Sequence, residues 1–325
     1  KQATLGQSVR HIFGFWYALL LLGVIAVFAL ARVNAGSVLI LSFDGDAVHM
    51  AQIVLRIADG DIPHQDFMTP LGIMAFLPIV WLVNLGAGIG AAFAYAPVFL
   101  GVFIFPALYW VGVSRLKPGA AVVFAGVVLV QLNALVHGGV EPTVAVSMYY
   151  NNWCWAISAV VVALAVLPSE RQGRLPQIAE PIFIGFGVGL LILIKATFAV
   201  FLLPAVVAGL LVRQQYRLLG GAVVWCLVFM VVVTVPFGAV GYWQGYIGDL
   251  LFVAGSPSRA QPGDPIALMV LSPSHLVAVV CLAAGFVFLR QAKLMGYGIV
   301  FLLLAIGWVL VTHQNWQNKE WVHHG

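Results

Sequence analysis

Apolar runs of membrane-spanning length recur along almost the whole chain, and the polar residues between them fall into short clusters. Runs near 12–34, 91–113, 119–137, 143–167, 219–240, 266–289 and 294–312 are each long enough for a helix across a hydrocarbon core of ~30 Å. Two others fit badly. Residues 70–85 are short and carry Pro70, Pro78 and Asn84, whereas 182–212 is too long for one span and holds Lys195 and Pro204. One long polar passage, residues 43–72, interrupts the pattern. Within it Met50, Ile53, Val54 and Ile57 follow i, i+3, i+4, i+7 spacing, with His49, Gln52, Arg56 and Asp59 on the opposite side. That spacing predicts an amphipathic helix with Asp46 as N-cap and Gly60 as its end. Its apolar face suits a membrane surface, and its polar face turns to water or to a ligand.

The basic residues assign sides to these runs, because short cytoplasmic loops collect Lys and Arg. Arg10, Arg115/Lys117, Arg171/Arg174, Arg213/Arg217 and Arg290/Lys293 all belong on the cytoplasmic side. From Arg10 the first helix then delivers residues 35–68 outside. A single crossing at 91–113 returns the chain, so 70–85 lies in or dips into the outer face. An even number of crossings between Arg174 and Arg213 requires 182–212 to be two short helices meeting near Lys195, close to the outer side. A lone Lys at mid-membrane costs a few kcal/mol, whereas one at a break between half-helices reaches water or an anion. The expected architecture is all-α: a polytopic bundle of about nine transmembrane helices in one domain. Residues 35–85 form a first outer loop with juxtamembrane helices, 241–265 a second outer loop, and 313–325 an outer tail.

Composition agrees. Of 325 residues 62% are hydrophobic and only 8% charged, against about a quarter charged in soluble domains. The net charge of +4 is dispersed, with no basic stripe for nucleic acid. Cys154, Cys226 and Cys281 sit in apolar runs without metal spacing and read as small core residues. The apolar run from Ile12 is too long for a signal-peptide core and reads as a retained first helix. The chain opens on Lys1 and closes in a polar tail, so a fragment of a longer protein is a fair reading.

Chemistry concentrates at 43–72, where Asp44, Asp46, Asp59, Asp61 and Asp66 supply five of the eleven acidic residues. The order of first helix, outer Asp, amphipathic helix ending in Gly60, then Asp61-Ile62-Pro63-His64-Gln65-Asp66-Phe67 and Thr69-Pro70-Leu71-Gly72 resembles the first outer loop of GT-C fold glycosyltransferases. These include protein O-mannosyltransferases, aminoarabinose transferases and oligosaccharyltransferases. Gly187 to Pro204, a short helix, Lys195 and a second short helix, is similar to another passage of that family. The chain departs from some members in reading Asp46-Ala47 where they pair Asp with Glu, and in having no large C-terminal soluble domain.

The resemblance implies transfer of a sugar from a polyprenyl-phosphate or polyprenyl-diphosphate donor at the outer, periplasmic face of a bacterial inner membrane. The acceptor is a glycan, lipid or protein. Asp46, with Asp44 as close competitor, matches the catalytic carboxylate, which would act as base on the acceptor. Lys195 and Arg56 would bind the donor phosphate. Glu141 in the next outer loop would supply a second acid, and Asp66 and His64 would complete the acceptor side. Inversion at the anomeric carbon follows if no covalent intermediate forms. No particular cofactor is indicated; His49, His64 and His137 with the aspartates leave a divalent metal open, without compact ligand spacing.

Plainer roles compete with each assignment. Arg56 either contacts ligand or pairs with Asp59 or Gln52 across one helical turn. Glu141 before Pro142 also suits a helix N-terminus. Tyr149, Tyr150, Trp153 and Trp155 fit an interfacial aromatic belt or a sugar-stacking platform. A transporter or lipid flippase would also use a broken helix with an intramembrane Lys, and a non-catalytic scaffold would keep the same fold.

Overall fold

A computed structural model describes residues 2–37, 45–134, 149–171, 173–256, 271 and 273–314. Among them the chain is helical, with no strand and one isolated bridge, Pro63 to Phe67. In chain order the helices are α1 (Gln2–Ala35), α2 (Gly45–Ala58), α3 (Leu77–Asn84), α4 (Ile89–Arg115), α5 (Pro118–Asn133), α6 (Tyr149–Val166), α7 (Arg174–Val212), α8 (Tyr216–Thr234), α9 (Ala239–Gly255), α10 (Pro273–Gln291) and α11 (Met295–Gln314).

Six are each long and apolar enough to cross a membrane: α1, α4, α6, α7, α8 with the turn after it, and α11. The chain is therefore a multi-pass membrane-type protein. Six is fewer than the nine expected. The shortfall has two sources: α5 and the apolar part of α10 are short, and α7 is a single element that carries two arms.

Helix α7 folds back on itself. Lys195 has extended backbone angles, φ −152° and ψ 102°, inside an otherwise helical stretch of 39 residues. In a straight helix Glu180 and Arg213 would stand about 50 Å apart. Instead Arg115 joins them: its Nη2 lies 2.9 Å from Glu180 Oε2 and donates to Leu164 O (3.2 Å), and Arg213 donates to the same carbonyl (3.1 Å). Lys195 meanwhile reaches Asn151 at the opposite end of α6. The two arms, 174–194 and 196–212, thus run up and down alongside α6, with Lys195 at the tip.

Two rims result. One holds Arg115, Arg171, Glu180 and Arg213 around the last turn of α6; Arg213 also bonds Ala165 O (2.9 Å), and Arg115 bonds Leu167 O (3.2 Å). These guanidinium groups satisfy carbonyls that the helix end leaves open and complement its dipole. The other rim gathers Arg32, which donates to Asn133 O (2.5 Å), the first turn of α6, Lys195, residues 61–73 and α9.

Residues 70–85 hold no helix long enough to cross a membrane. A turn of 3-10 helix, Ile73–Ala75, and the eight-residue α3 together span far less than ~30 Å, and Ile73, Phe76 and Ile79 are fully buried. The expected outer loop 241–265 is helical in its first half, as α9. Three glycines in its interior, Gly241, Gly245 and Gly248, argue against a helix by propensity. Gly245 is there for packing: a Cβ at that position would lie 2.0 Å from His64 O.

Candidate functional site

Helix α2 opens at Gly45, so Asp46 occupies its first turn rather than the cap; helix boundaries commonly shift by a residue. Its end is as the pattern predicts. Gly60 takes φ +107°, its N–H donates to Ile57 O (3.1 Å), and Asp61 N–H donates to Arg56 O (2.9 Å), the paired bonds of a Schellman motif. Met50, Ile53, Val54 and Ile57 are buried inside the protein against the core that includes α3. They do not lie on a membrane surface. His49, Gln52 and Asp59 are exposed on the opposite face.

Arg56 pairs with neither Asp59 nor Gln52. Its Nε donates to Asp61 Oδ2 (2.6 Å), Nη2 to Asp66 O (3.3 Å), and the guanidinium lies over the Phe67 ring at 4.4 Å. The αL glycine brings Asp61 back within reach of the helix's last turn. Asp66 is itself committed to the loop, accepting from Ile62 N–H through Oδ2 (2.6 Å). Arg56 and Asp66 therefore shape the bend 61–67.

His64 is drawn inward, its side chain wholly buried. It adopts φ +69°, in the left-handed region unusual outside glycine, and donates its backbone N–H to Phe67 O (2.8 Å). Its Nδ1 lies 2.7 Å from Asp249 Oδ2, and the same oxygen accepts from Thr69 N–H (3.1 Å). A carboxylate only accepts, so the imidazole proton resides on Nδ1. Burial pulls the His64 pKa below its ordinary value, against the opposing hydrogen bond and charge of Asp249, so the ring is neutral near pH 7. Tyr242 and Tyr246 pack against it at 5.0 and 4.7 Å between ring centroids. Burial drives both phenols well above the usual tyrosine range.

These contacts expose a device that loop-level reading missed. Tyr242, Tyr246 and Asp249 share one edge of α9 at i, i+4, i+7. Tyr242 OH accepts from Ile73 N–H (2.9 Å), Tyr246 OH donates to Ile192 O (2.8 Å), and Asp249 holds His64 and Thr69. Gly72 N–H donates to Ile194 O (3.1 Å). Loop, α9 and the α7 break thus form one hydrogen-bonded unit. The i, i+4, i+7 spacing of Tyr242, Tyr246 and Asp249 is a signal that sequence alone carries.

Lys195 donates to Asn151 Oδ1 (3.0 Å) and lies over the Tyr150 ring at 5.1 Å. Below it runs an apolar cavity of about 530 Å³ lined by Trp155, Ser158, Val162, Leu202, Cys281 and Trp308, among others from α6, α7, α10 and α11. Asn151, Trp155, Ser158 and Val162 form one stripe of α6, and Trp155 meets Phe198 at 5.0 Å, so the cavity begins one helical turn beneath the lysine contact. No known protein family, curated protein or solved structure matches the chain.

Other expectations resolve as follows. Tyr149 and Trp153 are buried at 2% and 1% exposure and face the interior, whereas Tyr150 and Trp155 are half-buried. Cys154 and Cys226 are buried, but Cys281 is exposed and lines the cavity. The described residues contain no group of three or more His, Cys, Asp or Glu able to hold a metal. Asp44, His137 and Glu141 lie outside the described residues, as do the side-chain surroundings of Asp46. Of the anticipated site, then, His64 and Asp66 lie in one loop that Arg56 braces from the end of α2, and that loop is joined to the Lys195 break through Gly72 and α9.

Proposed function

We propose that the protein is a membrane glycosyltransferase of GT-C type, moving a sugar from a polyprenyl-phosphate donor to an acceptor at the outer membrane face. In this reading α1, α4, α5, α6, both arms of α7, α8, α10 and α11 make nine crossings. The rim bearing Lys195 faces outward, the arginine-rich rim faces the cytoplasm, and α2 and α3 are juxtamembrane. The observation that carries it is the alignment of Lys195 with the apolar cavity one turn below. A lipid phosphate has a charged head and a long apolar tail, and this pairing of cation and groove offers a seat for each.

Lys195 is the phosphate-binding cation, acting as a point charge on the leaving oxygen. Asp46, or Asp44 beside it, is the base that takes the acceptor proton. Arg56 and Asp66 have a positioning role, because their polar groups fix the bend 61–67. His64 acts from behind the site through Asp249, and Glu141 is the remaining acid for the acceptor side.

The test is transfer of radiolabelled sugar from a polyprenyl-phosphate donor by protein reconstituted in vesicles. Asp46→Asn and Lys195→Ala should each abolish transfer while leaving the fold intact by thermal unfolding. A bulky apolar maleimide on Cys281 should block the wild type but not Cys281→Ser. Donor-independent uptake of solute lost in Lys195→Ala, with no sugar product, would replace this reading by a transporter. Unchanged cell-envelope phenotypes in both variants would point to a scaffold.

A further inference from the structure

Helix α9 has two unlike edges. Tyr242, Tyr246 and Asp249 face the protein, whereas Val240, Ile247 and Leu251 lie on the opposite side at 74%, 53% and 68% exposure. At 100° per residue the two sets are almost diametrically opposed. An apolar stripe this open needs an occupant.

We propose that α9 is an interfacial helix, lying along the outer rim with its Val240/Ile247/Leu251 edge in the lipid headgroup boundary. Three observations select the bilayer over other occupants. First, the stripe continues an apolar belt: Leu227, Val231, Val232 and Val235 of α8 and its following turn are exposed on a helix of membrane-spanning character. Only the turn Val235–Phe237 and a left-handed Gly238 (φ +68°) separate that belt from α9. Second, α9 does not dive through the bilayer. From Tyr242 to Asp249 it stays against residues 64–73 of one loop, so its axis follows the rim. Third, half-buried Trp243 suits the interface, its Nε1 donating to Thr234 Oγ1 (3.1 Å) at the end of α8.

The consequence is mechanical and holds whatever reaction the site performs. The edge opposite the lipid holds Ile73, His64 and Ile192, so the membrane surface sets the height of the loop and of the α7 break together. The bilayer acts as the outer support of the clamp.

Spin labelling tests this. Nitroxides are placed at Leu251→Cys and Val240→Cys in a Cys281→Ser background, Cys154 and Cys226 being buried, and the full chain is reconstituted in phosphatidylcholine/phosphatidylglycerol nanodiscs. Val232→Cys serves as the bilayer reference and His49→Cys, on the exposed polar face of α2, as the aqueous one. Expected is preferential collision with oxygen over a water-soluble nickel chelate at both α9 positions, at a depth of about 5–10 Å. Collision ratios matching His49→Cys overturn the proposal. Dipolar broadening between labels of two molecules, with loss of both collision signals, also overturns it and assigns the stripe to a second copy.

Discussion

Gly72 has no side chain because the backbone of another segment occupies the space one would fill. A Cβ there would lie 2.3 Å from Leu193 O and 2.5 Å from its carbonyl carbon, where ordinary carbon contacts begin at about 3.5 Å. Neither partner yields easily. Gly72 N–H is bonded to Ile194 O, and the next residue, Ile73, is fully buried with its N–H on Tyr242. A methyl group must push the loop off the break. Overpacking costs about 1–3 kcal/mol, and an interior carbonyl left without its donor costs about 1–3 kcal/mol more. Gly72→Ala should therefore destabilise by about 2–6 kcal/mol. The assay is unfolding in mixed detergent micelles, followed by reaction of a thiol dye with buried Cys154 and Cys226 in a Cys281→Ser background. Gly248→Ala is the control: a Cβ there meets nothing within 4 Å, and replacing a helical glycine should leave stability equal or raised by up to about 1 kcal/mol. If Gly72→Ala unfolds with Gly248→Ala, the loop does not rest on the broken helix and the reasoning fails.

Two further outcomes follow from the buried charges. Glu180→Ala should cost about 3–5 kcal/mol in the same assay, since it leaves Arg115 buried without its carboxylate, and Arg115→Leu/Glu180→Leu together should recover part of that loss; a single variant as stable as wild type would deny the clasp at the base of the α7 hairpin. His64 has a folded-state pKa below its unfolded value of about 6.5, so its contribution is whole above that pH and is lost as pH falls below it, down to the folded value. Wild type should therefore lose stability between pH 7.5 and 5.5 relative to His64→Gln, and parallel curves for the two proteins would show that the imidazole does not titrate as its burial requires.

Much of this was legible from residue spacing. Runs of apolar length marked the long helices, and the alternation of basic loops demanded that the chain turn within 182–212, which it does at Lys195. Gly60 announced the end of α2. What spacing does not show is any contact that lies outside one helix's own period. The periodic face of α2 is the same whether lipid or protein covers it, so Met50 and Ile53 gave no sign of α3. For Arg56 the helical period offers Asp59, Gln52 or a ligand, whereas the αL turn at Gly60 carries Asp61 closer. Counting crossings makes 241–265 an outer loop without reading its local structure, and the close approach of Gly245 to His64 is set 181 residues away. Aromatic residues near a helix end look interfacial until Arg32, Asn133 and the α7 arms are known to enclose them.

The break in α7 explains why the loop and α9 belong together. Interrupting a helix at Lys195 disturbs the bonds of carbonyls just before it, and buried backbone acceptors must find donors elsewhere. Ile194 O takes the N–H of Gly72 and Ile192 O takes the hydroxyl of Tyr246, so one donor comes from the first loop and one from α9. Those two donors must in turn be held in register, and the bonds between them do so: Tyr242 to Ile73, Asp249 to His64 and Thr69. The polar residues of 61–73 are thus required by the fold before any ligand binds. A substitution that loosens Asp249 should reach Lys195 through these hydrogen bonds, without touching the cavity. Chemistry at the lysine and stability of the break are for that reason expected to change together.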